Sequence, residues 1–289
     1  MKKLTLKLLS LLAAIVLIIP MTVSCVVEDL TEAERFDMLS ETDKAFYILE
    51  RDYDLDTSRR SGSISMSYQE TDMSMNSYTL HVRLDSNLVT IDTEEQYLNY
   101  YEIVVSAEYS NRYTDSESVQ TVKTGWIDGK YFEYNQTESD SSGSSTTKSF
   151  MFDTKENYLA YLEGQGETAG ALDIPKNFGI TKENCSTVNC FKQDDDLWCA
   201  SFSDVSDELL TELKKLAQPL ASIVDIDNIE DANITLLVTP DFIPKEVIIF
   251  YNVSGFNFLR IAYEYAYGDD VVIPQIDLSD YKEVPNLRN

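Results

Sequence analysis

Between Ser61 and Phe152 the chain repeats one device: a run rich in Tyr, Val, Thr and Ile, then a short polar connection. Six such runs are read at Ser63–Glu70, Tyr78–Thr90, Tyr100–Ser110, Ser118–Trp126, Lys130–Thr137 and Thr146–Phe152. β-Branched and aromatic residues suit a pleated, half-buried surface. A parallel crossover needs about a dozen residues or more, and these connections are shorter, so the strands must run antiparallel. The clearest turn is Asp128-Gly129 between Trp126-Ile127 and Lys130-Tyr131, because the preferred two-residue hairpin turn needs positive φ. Glu138–Ser145, rich in Ser and containing Gly143, reads as a looser exposed turn.

The second half resumes the theme. A hairpin is expected over Ser186–Ser203, and three strands over Asn233–Thr239, Glu246–Ser254 and Asn257–Gly268. In the last of these Leu259, Ile261, Tyr263, Tyr265 and Tyr267 alternate with Arg260, Ala262, Glu264 and Ala266, which describes a sheet with one covered face. Helical spacing appears at three places. Ala33, Phe36, Leu39, Phe46 and Leu49 suggest one helix over Thr31–Arg51, opened by a Thr31/Glu34 capping box. A short helix is read over Thr154–Glu163, followed by a Gly-containing connector to Gly179. Val205, Leu209, Leu213, Leu216 and Leu220 form the stripe of a third helix, with Asp204 expected at its N-cap and Pro219 near its end. The fold class is therefore α+β: a curved antiparallel half-barrel of about eleven strands. An N-terminal helix and inserted helices cover its concave face, since a sheet this wide tends to curl.

The N-terminus constrains location. Lys2, Lys3 and Lys7 precede an apolar run from Leu8 to Ile19, then Pro20 and Thr22-Val23-Ser24-Cys25. A spanning helix needs about 20 apolar residues; this run is about 12, the length of a signal-peptide core. The expected organisation is a lipoprotein signal peptide over 1–24, lipidation at Cys25, a tether over 25–30, one domain over 31–284 and a tail over 285–289. The protein is expected to be extracytoplasmic, anchored to a bacterial membrane through Cys25, and monomeric.

Formal net charge is −27, and about −30 without the signal peptide. That field repels phosphate backbones, so nucleic acid is not an expected partner. Catalysis by a Ser-His or Cys-His pair would rest on His81 alone, and no Gly-x-Ser-x-Gly elbow or phosphate loop occurs. Asp52, Asp54 and Asp56 begin like a calcium loop, but Thr57 and Ser63 stand where Gly and Glu are needed. No catalytic residue, metal or cofactor is expected. After Cys25 three cysteines remain. If Lys192 faces Leu197, Cys190 lies directly across from Cys199 and a cross-strand disulfide is geometrically open to the pair, with Cys185 as the odd thiol. The alternative is three reduced, partly buried thiols.

The Cys25 lipobox, the hairpin Trp126-Ile127-Asp128-Gly129-Lys130-Tyr131-Phe132 and the hairpin-then-helix segment Leu197–Leu216 together resemble the lipoprotein-carrier fold, the LolA/LolB-like and LppX-like envelope lipoproteins. The C-terminal segment from Val272-Ile273-Pro274 to Val284 is similar to the ends of Gram-positive bacterial lipoproteins of that kind. The resemblance implies a half-barrel of about eleven strands closed by helices around a hydrophobic cavity, and binding of acyl chains or lipid-modified cargo. A lipid or other amphipathic ligand is thus expected between the sheet and the helix Asp204–Leu216. Its candidate lining is Leu209, Leu213, Leu216, Tyr251, Ile261, Tyr263 and Tyr265. The rival is a non-catalytic surface module with a solid core that binds protein or glycan through exposed strands and loops.

Overall fold

The structure, a computed structural model, describes residues 31–51, 58–72, 77–93, 96–140, 143–152, 154–164, 178–193, 196–221, 224–254 and 257–284. The stretches expected to form the signal segment, the Cys25 anchor, the tether and the tail, and the Asp52–Asp56 cluster, lie outside the described residues.

Strands β1 (Arg59–Asp72), β2 (Tyr78–Asp92), β3 (Tyr97–Asn111), β4 (Asp115–Ile127), β5 (Lys130–Ser139) and β6 (Gly143–Phe152) form one antiparallel meander. Asp128 and Gly129 sit at φ 49° and 76°, the left-handed pair their hairpin requires. A second meander comprises β7 (Cys185–Lys192), β8 (Trp198–Val205), β9 (Ile229–Val238), β10 (Pro244–Val253) and β11 (Asn257–Tyr267). The two meanders join where β1 pairs antiparallel with β11, from Arg60↔Tyr267 to Gln69↔Phe258. A two-residue β12 (Lys282–Glu283), absent from the sequence reading, runs parallel to β6 at one edge. Among the described residues the fold is mostly β, one open twelve-stranded sheet with β7 at the other edge.

Helices differ from expectation in two details. The single N-terminal helix is in fact two, α1 (Glu32–Asp37) and α2 (Glu41–Glu50). Ser40 takes extended angles and caps α2 by accepting from the Asp43 N–H at 3.1 Å, which ends any continuous helix there. The expected Thr31/Glu34 capping box is present on α1. Next, α3 spans Lys155–Gly164. The last helix, α4 (Asp207–Lys214), is capped by Ser206 rather than Asp204 and continues as a 3-10 turn through Leu220. Asp204 belongs to β8, at φ 54°.

Residue alternation sorts the sheet into two faces. On the helix face, α1, α2 and α4 pack on β1 and β7–β11 in one core that includes Phe36, Phe46, Leu209, Phe202, Tyr251 and Ile261. The α3 helix sits over the β2–β5 end of the same face. Its buried Tyr158 donates to Asn99 Oδ1 at 2.8 Å, and Asn99 donates to Thr90 Oγ1 at 3.3 Å. On the opposite face the C-terminal segment crosses the sheet as a strap. Val271, Ile276, Leu278 and Tyr281 pack on Val89, Ile91, Leu98, Tyr100 and Phe132.

The β7–β8 hairpin overturns the expected Cys190–Cys199 disulfide. Lys192 pairs with Trp198, not Leu197, so the connection is one residue longer than expected. The Gln193 N–H donates to the Leu197 carbonyl at 2.8 Å, and Asp196 adopts φ 67°. Cys190 therefore lies opposite Ala200, and Cys199 opposite Phe191. Neighbouring registers point to opposite sides of a sheet, so the two thiols are on different faces. Cys185, Cys190 and Cys199 are all free and buried.

Candidate ligand-binding face

The seven residues expected to line a cavity come together on the helix face, within or against the main core. Leu209 and Leu213 project from α4, whose apolar positions recur at i and i+4. Tyr251 of β10 reaches the helix and donates from its hydroxyl to the Leu213 carbonyl at 2.7 Å. That bond ties β10 to the last turn of α4, at a carbonyl that also accepts the Lys215 N–H. Ile261, Tyr263 and Tyr265 follow one another on β11, and Leu216 packs at the margin, partly buried. Tyr251 and Ile261 have no exposure, and Leu213 has 1 %. Between α4 and the sheet these side chains fill one another's space.

The same face continues beyond the helix layer. Register places Leu80, Val82, Leu84 and Leu88 of β2 beside Ile103 and Val105 of β3, with Val122 of β4 next to Ile103. Only Val82 of these is buried; the others are partly exposed. Of the seven, Leu84 alone packs against the main core, so the strip is continuous with that core without being covered by α1, α2 or α4. The sequence signal for it was simple alternation in β2 and β3.

Tyr265, 6 % exposed, stands on this face opposite Gly62 of β1, which in turn pairs with Leu88. Its hydroxyl is buried without a hydrogen-bond partner. Leaving such a group unmet costs about 1–3 kcal/mol, and buried polar atoms are usually satisfied.

Burial raises the phenols of this region. Tyr68 and Tyr263 are pushed up to about 12, in both cases chiefly by desolvation, with Glu70 adding to the shift at Tyr68. Tyr251 and Tyr265 are raised further by the same cause. A phenol whose folded pKa is raised stabilises the fold fully below its ordinary value of 10, and that stabilisation is lost as pH climbs through 10 to about 12. Stability is therefore expected to fall across this window while tyrosinate absorbance rises in step with unfolding. Full ionisation by about pH 10.5 with unchanged circular dichroism would contradict the burial of these rings.

Burial also raises the three described thiols. Burial pushes Cys190 up to about 11 despite nearby Lys44, and Cys185 and Cys199 are raised too, again by burial first. His81 lies on the opposite face, where its Nε2 is 3.0 Å from Ser67 Oγ. Among the described residues no group of three or more His, Cys, Asp or Glu side chains is placed to hold a metal ion. Nor is any helix among them long and apolar enough to cross a membrane.

A concavity lies on that opposite face, around β1. Its floor carries Ser61, Ser63 and Ser65, and Arg83, Asp85, Arg260 and Glu264 stand along its sides, around a volume of 710 Å³. The alternate serines of Ser61-Gly62-Ser63-Ile64-Ser65-Met66-Ser67 were a signal the sequence reading passed over.

No family model matches the sequence. No curated protein matches it either. Among solved structures, the chain is similar to a β-barrel-like protein of domain of unknown function DUF1849 from Brucella abortus. The match has 7 % identity and a TM-score of 0.18, over 74 % of this chain and 100 % of that one.

Proposed function

We propose that this protein is a non-catalytic, lipid-anchored extracytoplasmic lipoprotein, and that its curved half-barrel binds an amphipathic, lipid-like ligand on the helix face. Cys25 would carry the anchor. The apolar part of the ligand would lie along Leu80, Leu84, Leu88, Ile103, Val105 and Val122, against the exposed flank of the helix-covered core. The observation that carries this reading is the coincidence of that half-exposed strip with the unpartnered, buried Tyr265 hydroxyl on one face. A solvated sheet face needs neither a row of aliphatic side chains nor a sealed phenol. Together they suit a ligand with an apolar body and a polar group. Burial of the strip would drive binding at about 25 cal/mol per Å² removed from water.

Val105→Glu tests this directly, because Val105 is half-buried on the strip and outside the main core. The variant is expected to keep its strand signal by circular dichroism and to lose at least about tenfold in retention of extracted membrane lipid, a difference of about 1.4 kcal/mol. Unchanged retention would remove the strip as the site.

The filled space beneath α4 favours a second reading, a surface module with a solid core, because Leu209, Leu213, Tyr251 and Ile261 leave no room there. In that reading an apolar fluorescent probe finds no site on the wild-type protein. In the lipid reading it binds and is displaced by lipid.

A further inference from the structure

At its Leu88 end the half-exposed strip meets a set of polar side chains on the same face. Two phenol hydroxyls there, Tyr97 of β3 and Tyr265 of β11, are buried without a hydrogen-bond partner among the described residues. Tyr265 is 6 % exposed, and burial that deep ordinarily brings a partner. Tyr265 stands opposite Gly62, the register neighbour of Leu88, and Tyr97 packs with Tyr131 and with Tyr158 of α3. Arg60 of β1 lies between the two phenols in register. It is two residues from Gly62 along β1 and opposite Thr90, which is two residues from Asp92, the partner of Tyr97. Diagonal neighbours of this kind lie about 7–8 Å apart, within reach of long side chains. The guanidinium acts on Tyr97: burial and then Asp92 raise that phenol, and Arg60 opposes them.

The carboxylates at this end of the face are already engaged, although the chain carries a net charge of −27. Asp92 meets Lys155 of α3 at 2.9 Å. Glu133, two strands beyond β3, accepts from the Tyr131 hydroxyl at 2.7 Å. Burial leads the rise of the Tyr265 phenol, and the groups that add to it are Tyr263 and Tyr267, with no carboxylate among them. A guanidinium carries five N–H donors in a planar fork, so Arg60 can keep bonds within the protein and still present donors to a ligand. That fork matches the paired oxygens of a carboxylate or a phosphate. An ammonium head would meet Arg60 as a like charge. A neutral hydroxyl head could answer a phenol but would leave the positive charge unused. The complementary group is one that accepts several hydrogen bonds and carries negative charge.

We infer that the lipid-like ligand ends in an oxyanion, a carboxylate or a phosphate, held by Arg60 with the Tyr97 and Tyr265 hydroxyls while its apolar part runs from Leu88 toward Leu80. The inference rests on the lipid reading of this face and names the head group that reading leaves open. The test is native mass spectrometry of the full chain, released from a non-ionic detergent and titrated with three lipids that share one oleoyl chain: oleate, oleoyl lysophosphatidate and mono-oleoylglycerol. At least one of the two anionic lipids is expected to bind about tenfold or more tighter than mono-oleoylglycerol. Which of them does so tells a fatty-acid carboxylate from a lipid phosphate. Arg60→Gln should weaken the anions alone, bringing the three affinities to within about twofold of one another. Tyr265→Phe should also weaken the anions, with a urea midpoint no lower than wild type, because its hydroxyl has no bond to lose in the unliganded fold. Val105→Glu should weaken all three lipids alike. Mono-oleoylglycerol bound as tightly as both anions would overturn the oxyanion and leave the lipid reading standing. Anion binding unchanged in the folded Arg60→Gln and Tyr265→Phe variants would do the same, as would a Tyr265→Phe midpoint well below wild type. Failure of all three lipids to bind would overturn both readings.

Discussion

Leu213→Glu is expected to unfold the helix-bearing half of the sheet rather than empty a binding site. Leu213 is 1 % exposed in the middle of the α4 stripe, and its carbonyl accepts the Tyr251 hydroxyl. Truncation to alanine alone should cost about 2–5 kcal/mol, the usual range for a buried leucine. Glutamate adds a carboxylate to an apolar interior; an uncompensated buried charge costs about 3–5 kcal/mol. Against a total stability of about 5–15 kcal/mol for an ordinary domain, that is most of the margin. Urea titration followed by circular dichroism measures it. A glutamate variant with a midpoint near wild type would show that α4 is not seated on β9–β11 as described. For the same reason lost lipid retention in Leu213→Glu would say nothing about a ligand, whereas Val105→Glu isolates binding from folding.

Gly125→Val should be comparably damaging at the other end of the sheet. Gly125 sits in β4 between Tyr100 of β3 and Phe132 of β5, whose rings stack with centroids 6.3 Å apart. A Cβ at this position would lie 2.3 Å from the Asn99 carbonyl oxygen and 2.9 Å from Phe132 Cε1. The first contact is backbone and cannot swing away. The second involves a ring that is fully buried and meets Tyr281 of the strap edge-on at 6.1 Å. Glycine in a strand often marks such a close approach. Alanine should cost about 3 kcal/mol, the upper part of the overpacking range, and valine more. Because Phe132 and Tyr281 share this cluster, the valine variant is also expected to release the C-terminal strap. Limited proteolysis would then cut near Leu278 sooner than in wild type. An alanine variant within about 0.5 kcal/mol of wild type would contradict the tight β3–β4–β5 packing.

The strands were legible because alternation and turn chemistry are local. The Asp128-Gly129 hairpin could be placed to the residue, since only a left-handed pair closes a two-residue connection with the right twist. Pairing across sequence was not legible. Nothing in Ser61–Ser67 announces that β1 will join β11, because that contact is fixed by which apolar faces meet after both meanders form. The N-terminal helix was read as one because Leu39 and Phe46 keep helical spacing across the break. The local signal was Ser40 followed by Asp43, a cap competing with the periodicity. At α4 the acids Asp207 and Glu208 were read as the first turn behind an Asp204 cap, but Ser206 caps the helix and Asp204 takes a left-handed conformation inside β8. The disulfide expectation failed through one residue of turn length, which is all it takes to turn a side chain to the other face.

The candidate site followed the same division. Periodicity was enough to collect Leu209, Leu213, Tyr251, Ile261, Tyr263 and Tyr265 on one face. It carries no information on the distance between facing surfaces, so a lined cavity and a filled core look alike in sequence. The half-exposed strip on β2–β4 and the serine floor of β1 are both alternating patterns. Their meaning depends on what covers each face, and the fold sets that.

Native mass spectrometry tests the lipid reading most directly, on the chain from Val26 onward, before and after incubation with extracted membrane lipids. The account predicts a stoichiometric lipid adduct on the wild-type protein and its loss in Val105→Glu. A clean apo mass after incubation, at lipid concentrations that load a known carrier, would contradict it.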